Sequence, residues 1–367
     1  MLIKKIIKKT GLHRPLKKIN SIFFRGEVKK RMAAAKAGGT IAIPKTVIFE
    51  PTVRCNLDCQ MCYQKKERMS RGKELSLKEI KTIFSGLKRD YGIKEVSLIG
   101  AEIFMRTDLT EMLNFFKSIG LRAYLATNGT LINETNVEEL KKLKNISGIG
   151  YSLDGKRELH NRIRNRKYAF DRLLKAIALT KKDFSLTVNT VVMDENVDQL
   201  TEVGQLVEEL GVPNYALQFE MWSSEKELAD SQKLFGCQSS DFVVSVKENS
   251  AYDFDAKKII SILAELRKIR GLTVVIQPGL FEKYPDYYLQ GNLRQKVALY
   301  CKDIDAVRIN ARGELIFCPF IKKSFGSLLE NNLGDIWNGF DFRDFRARLL
   351  RANLSPICKR CCRLGNE

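Results

Sequence analysis

The sequence predicts an α/β fold, in which six strand–helix units build a parallel sheet with helices outside it, closed or partly closed as a barrel. Three observations carry this. Strand-like runs recur at Thr46–Glu50, Glu95–Ile99, Leu121–Ala126, Gly148–Leu153, Ser185–Val191 and Asn214–Phe219. Helical periodicity fills the gaps between them. The 367 residues, 44% of them hydrophobic, are enough for one barrel with an appendage. An open doubly wound sheet satisfies the same alternation.

Taken in order, residues 1–45 form a basic amphipathic N-terminal segment. Leu2, Ile3, Ile6, Ile7, Leu12, Leu16, Ile19 and Phe23 alternate with lysines, with breaks near Gly11 and Pro15 and a hinge at Gly38-Gly39. The segment suits docking to an anionic membrane surface through residues 1–40, or packing against the body with its lysines in water. Residues 46–285 hold the strand–helix units. Ser76-x-x-Glu79 is a capping box ahead of Ile80, Ile83, Phe84 and Leu87, and Gly92 is the stop. Val197, Leu200, Val203, Leu206, Val207 and Leu210 make a second apolar face, closed by Gly211. A helix over Lys257–Arg270 precedes a short strand at Thr273–Ile276. Residues 299–367 change character, with Cys, Gly and Pro punctuating short segments.

Composition excludes several classes. No apolar run reaches the roughly 18 residues that span a bilayer. Net charge is +20, and residues 1–36 contribute twelve Lys/Arg against one acid, Glu27. Two histidines, His13 and His160, argue against a Ser-His-Asp hydrolase or a His-rich metal site. The nine cysteines are odd in number and follow no cleavable-looking signal peptide, so they read as metal ligands in a reducing cytosol.

Cys55-x3-Cys59-x2-Cys62 follows the first strand directly. A loop leaving the C-terminal end of a barrel strand is where such folds build their active site. Three thiolates suit three corners of a [4Fe–4S] cube and leave the fourth iron open to a cofactor or substrate. A zinc site completed by a remote ligand is the alternative.

These residues resemble the radical S-adenosylmethionine (SAM) enzymes, whose hallmark is this Cys-x3-Cys-x2-Cys loop, often followed by an aromatic residue, here Tyr63. The resemblance implies that the open iron chelates SAM, that one electron cleaves the sulfonium, and that a 5′-deoxyadenosyl radical abstracts hydrogen from the substrate. It also implies reduced flavodoxin or ferredoxin as the donor. Gly100-Ala101-Glu102-Ile103 resembles the family's Gly-Gly-Glu-Pro segment beside the SAM amino group, Thr127-Asn128-Gly129 its Thr-Asn-Gly turn, and Ser152-Leu153-Asp154-Gly155 its Ser-Leu-Asp-Gly segment. By resemblance Tyr63, Gly100, Glu102, Asn128, Ser152 and Arg164 surround SAM, with Arg164 suited to its carboxylate. Ala101 and Ile103 depart from the pattern, and Ala101 would cost about 1 kcal/mol if that position needs a positive φ.

In the tail, Cys301-x11-Gly313-x4-Cys318 followed by Cys358-x2-Cys361-Cys362 resembles the auxiliary-cluster domains called SPASM and twitch. The resemblance implies a second [4Fe–4S] cluster on Cys301, Cys318, Cys358 and Cys361, with Cys362 spare or an alternative ligand; a structural zinc is the other reading. The whole is a partial (β/α)6 TIM-like barrel with a small SPASM/twitch-like domain. Cys237 reads as a small buried residue. Phe281, Tyr284, Tyr287 and Tyr288 suit a core or the substrate entrance, Asp154 a turn cap or a catalytic group, and His160 the neighbourhood of Arg164 or a helix surface.

The function expected is radical SAM oxidation of a peptide, a sugar or lipid-linked compound, or another small substrate. The competing class is a zinc-stabilised basic protein that holds RNA, against which no aromatic–basic recognition strip appears.

Overall fold

The computed structural model describes residues 26–65, 72–248 and 252–366. The amphipathic leader expected up to residue 25 lies outside the described residues. Its continuation is helix α1 over 26–36, which buries Met32 and Ala35 and leaves Lys29 and Lys30 exposed. Arg31 pairs with Asp305, and Arg351 Nε donates to the Lys36 carbonyl at 3.0 Å, so this helix packs on the tail of the chain.

Strands β1 (Thr46–Phe49), β2 (Glu95–Leu98), β3 (Arg122–Thr127), β4 (Ile146–Ser152), β5 (Leu186–Val192) and β6 (Asn214–Phe219) are parallel and pair in sequence order. This order has no switch point, so every right-handed crossover puts its helix on one side of the sheet. It is the winding of a barrel and not of a doubly wound sheet. The barrel is open, with β9 (Thr273–Gln277) pairing with β6 as one edge. Between these two strands lies the small parallel pair β7 (Trp222–Ser223) and β8 (Ser245–Val246).

The other edge comes from the tail. After β10 (Leu299–Cys301), β11 (Val307–Ile309) lies parallel to β1, in register Val47↔Val307 and Phe49↔Ile309. β12 (Glu314–Ile316) and β13 (Ser324–Ser327) extend it antiparallel, and β14 (Leu364–Asn366) returns to pair with β10. Strand β1 is therefore interior, flanked by β2 and β11.

Local chemistry sets the helices. α2 (Leu77–Tyr91) starts in the Ser76/Glu79 capping box and ends at Gly92, whose φ of 60° forms the left-handed cap. α3 (Leu109–Ser118), α4 (Glu134–Leu143), α5 (Arg157–Ile163) and α6 (Ala169–Thr180) follow. A second capping box, Asn133 with Asn136, opens α4. The apolar run from Val197 splits into a 3-10 turn at Val197–Gln199 and helix α7 at Leu200–Glu209. Gly150 on β4 has a packing reason: an added Cβ would fall 2.2 Å from the Tyr124 hydroxyl of the neighbouring strand. No helix among the described residues is long and apolar enough to cross a membrane.

Candidate active site

All six parallel strands end on one edge of the sheet, and a cavity of about 220 Å3 opens there. Cys55, Cys59 and Cys62 line it, from the loop that leaves β1. So do Tyr63 from the same loop, Gly100 and Asn128 from just beyond β2 and β3, Ser152 from the end of β4, and Arg164 from the C-terminal end of the helix that follows β4. The loop is fixed by its own backbone: Gln60 N–H donates to the Ile163 carbonyl at 2.9 Å and Cys62 N–H to the Cys59 carbonyl at 3.2 Å.

The sulfurs sit among donors. Leu57 N–H points at Cys55 Sγ at 3.4 Å, with Asn128 Nδ2 4.0 Å away on another side, and Arg164 Nη1 lies 3.6 Å from Cys59 Sγ. Donors of this kind stabilise thiolates, the form in which cysteine binds iron. Arg164 Nη2 is 2.5 Å from Asp154 Oδ2, while its Nε is buried with no hydrogen-bond partner. Burial works against the guanidinium charge, but Asp154 and Cys59 outweigh it and raise its pKa. An open donor on a permanent cation at the cavity wall fits a carboxylate such as that of SAM.

Asp154 is fully buried. Besides Arg164 it accepts from Val191 N–H at 3.1 Å, and its own N–H donates to His160 Nδ1 at 3.2 Å. His160 is thus interior and not on a helix surface. Burial, then Arg164, holds its pKa well below the ordinary imidazole value.

Glu102 is placed differently from the other expected cofactor residues. It does not line the cavity, and both carboxylate oxygens are taken: Oε1 accepts from Thr127 Oγ1 at 2.8 Å and Phe104 N–H at 3.1 Å, Oε2 from Asn128 N–H at 2.8 Å. It braces the β2 end against the β3 end. Burial raises its pKa despite these donors. The Ala101 departure carries no backbone strain, because the positive φ falls on Gly100, at 117°, and not on Ala101.

In the tail, Cys301, Cys318, Cys358 and Cys361 are buried. Asp303 N–H points at Cys301 Sγ (3.4 Å), Ile321 N–H at Cys318 Sγ (3.2 Å) and Arg363 N–H at Cys361 Sγ (3.3 Å). Burial lifts Cys301 and Cys318 well above the usual thiol value and Cys358 up to about 11; the charge of Asp303 adds to this at all three, and Cys358 adds to it at the first two. Thiols crowded this way ionise when a metal takes the charge. Among the described residues no three His, Cys, Asp or Glu side chains close around a single ion. Four buried thiols, three of them facing a backbone N–H, are the donor chemistry that an iron–sulfur cluster takes.

Cys237 is buried in the core cluster, as are Phe281 and Tyr288, while Tyr287 is exposed. None of these reaches the cavity. The sequence reading missed the wall made by Gln218, Phe219, Glu220 and Met221 at the end of β6, and by Phe320 and Cys362 from the tail. The first group sits at a strand end, a position that the barrel rule singles out; the second comes from distant tail segments, Phe320 between β12 and β13 and Cys362 just before β14.

Residues 49–207 match the family model of the radical SAM superfamily, and residues 301–362 match an iron–sulfur cluster-binding domain, SPASM. An AdoMet-dependent heme synthase of Methanosarcina barkeri is 33% identical over 83% of this chain and 85% of its own length. The Fe-coproporphyrin III synthase of the same organism is 32% identical, over 46% of this chain and only 42% of that protein. The crystal structure of Streptococcus suis SuiB bound to its precursor peptide SuiA superposes with a TM-score of 0.64 over 91% of this chain and 74% of SuiB; at 17% identity this shows the fold alone. The chain is an enzyme of the radical SAM superfamily with a C-terminal SPASM domain, and its cofactors are SAM, a [4Fe–4S] cluster and auxiliary iron–sulfur chemistry in the tail.

Proposed function

We propose that the chain is an oxidoreductase that uses the strand-end cavity to abstract hydrogen from a carboxylate-bearing small molecule of the tetrapyrrole class. The observation that carries the chemistry is the meeting of Cys55, Cys59, Cys62, Ser152 and Arg164 on one cavity. The substrate class is supported by the heme synthase match, which runs nearly the length of both chains. A net charge of +20 also favours capture of a polyanion.

When bound, the cluster and SAM supply a carbon radical able to take a hydrogen atom. The chain's own residues prepare its surroundings. Cys55, Cys59 and Cys62 would hold the cluster by three of its irons. The Leu57 N–H and Asn128 amide near Cys55, and the Arg164 guanidinium near Cys59, spread the thiolate charge. Asp154 fixes the Arg164 fork for the SAM carboxylate, and Ser152, which ends β4 two residues earlier, lines the same cavity. The Gly100 backbone faces the cavity for the SAM amino group, and Glu102 holds the Asn128 turn in place. Phe219, Met221 and Phe320 add apolar surface to the cavity, which limits water near the reacting carbon. In the tail Cys301, Cys318, Cys358 and Cys361 would hold one auxiliary [4Fe–4S] cluster, and reduced flavodoxin or ferredoxin would be the electron donor.

The test is anaerobic incubation of the reconstituted enzyme with SAM, dithionite and Fe-coproporphyrin III. Porphyrin-dependent acceleration of 5′-deoxyadenosine release, with a changed porphyrin mass, is the expected result. Unchanged release and unchanged porphyrin would overturn the substrate class, and a peptide would become the next candidate.

A further inference from the structure

The ninth cysteine differs from the other tail thiols in what it borders. Cys362 borders the cavity that Cys55, Cys59, Cys62 and Arg164 also line, and none of Cys301, Cys318, Cys358 and Cys361 does. Cys361 Sγ takes the Arg363 N–H at 3.3 Å and feels Cys301 and Cys358, so it belongs with the auxiliary set. Cys362 is hydrogen-bonded to Cys361 on one side and meets the cavity on the other. Phe219, Met221 and Phe320 line the same cavity, with Gln218 and Glu220 among them.

We infer that Cys362 is a catalytic hydrogen-atom donor, whose thiol quenches a carbon radical in the cavity so that the product carries a hydrogen drawn from solvent. The inference rests on the radical reading of the site. An S–H bond is weaker than an unactivated C–H bond, so the transfer runs downhill. In the step the S–H bond of Cys362 breaks and a C–H bond forms, the hydrogen moving as an atom and leaving a sulfur-centred radical. One electron from the reduced iron–sulfur or flavin protein that serves this site, and one proton from solvent, restore the thiol. Substrates of this class exchange a hydrogen, or a group lost from the radical, for a solvent hydrogen at the attacked carbon.

The experiment needs no substrate. The holoenzyme is turned over with SAM and dithionite in thiol-free D2O buffer, where Cys362 carries deuterium, and the 5′-deoxyadenosine is weighed by mass spectrometry. The wild type is expected to give a one-deuterium species, which is lost in Cys362→Ala and in Cys362→Ser, whose O–H bond is too strong to donate. Separately, iodoacetamide applied to the anaerobic holoenzyme should alkylate Cys362, SAM should suppress the labelling, and Cys362→Ala should keep the iron content of the wild type. Release of 5′-deoxyadenosine free of deuterium, or carrying the same deuterium in both variants, overturns the donor role while leaving the radical reading intact. Loss of half the iron in Cys362→Ala makes it a cluster ligand and also overturns the role. No 5′-deoxyadenosine from any form sinks the radical reading and the inference with it.

Discussion

Lys322 Nζ lies 2.6 Å from Glu50 Oε2, a contact that joins positions 272 apart in the chain. The other oxygen of Glu50 takes Arg308 Nη1 at 2.9 Å, and all three side chains are almost wholly buried. Glu50 directly follows β1, Arg308 is on β11 and Lys322 leads into β13, so one carboxylate holds the tail against the strand that presents the cysteine loop. Removing one partner from such a set leaves buried charge uncompensated, at about 3–5 kcal/mol. Glu50→Ala should therefore lower stability by about that amount in urea titration, and Glu50→Gln should recover only part of it. A loss below about 1 kcal/mol would show that the set is solvated.

The same carboxylate sets an acid limit. Burial alone would raise its pKa, but Lys322 and Arg308 outweigh that and hold it below the ordinary value of 4.5. A lowered folded-state pKa gives stability that is full above the unfolded value and is lost as pH falls through the folded one. Urea midpoints measured from pH 6 downward should be flat in this contribution to about pH 4.5 and fall below it. In Glu50→Gln that acid-side fall should be shallower, and equal slopes in the two proteins would contradict the assignment.

Gly100 and Ala101 make a paired prediction about the cofactor loop. Gly100 has φ of 117°, and an added Cβ would lie 3.3 Å from Glu50 Cβ and 3.5 Å from Gln64 Nε2. Gly100→Ala should cost about 1–2 kcal/mol and weaken SAM binding, because the left-handed backbone is unfavourable for an L-residue. Ala101→Gly relieves nothing and should leave SAM affinity, measured by anaerobic equilibrium dialysis, within about twofold of wild type.

Arg164 and Asp154 can be separated by charge and by position. Arg164→Lys keeps a cation but loses the planar fork and its two contacts, and SAM affinity should fall about tenfold, or about 1.4 kcal/mol. Asp154→Asn keeps the size and should misplace the fork, lowering affinity in the same direction. If Asp154→Asn bound SAM as wild type while losing stability, its role would be confined to the turn with His160.

Much of this was legible in the sequence because the determinants are local. The Ser76/Glu79 capping box, the Gly92 stop and the 3.6-residue apolar stripe of α2 act over one or two turns, and all appear as expected. The strand boundaries agree within a few residues, since the alternation of buried positions on β3 and β5 is a property of the segment itself. The cysteine loop and the Arg164 wall follow from strand order, because parallel neighbours bring successive strand ends together. What the sequence hides is contact between distant segments. Nothing in Val307–Ile309 announces that it pairs with β1, so neither the Glu50 clamp nor the arrival of Phe320 and Cys362 at the cavity could be foreseen. Glu102 shows the limit of reading a motif by resemblance: the residue is at the expected strand end, but its carboxylate is spent on Thr127, Phe104 and Asn128.

The tail is tested by metal content. Wild-type protein reconstituted without oxygen should hold about eight irons per chain, and Cys301→Ala or Cys318→Ala about four. About four irons per wild-type chain, with zinc in the tail, would remove the auxiliary cluster.

The central claim is that the strand-end cavity cleaves SAM reductively, and one measurement meets it directly: 5′-deoxyadenosine released by the reconstituted enzyme under SAM and dithionite. The account predicts release that disappears in Cys59→Ala. Release that persists in Cys59→Ala, or a fully loaded cluster that releases none, would contradict it.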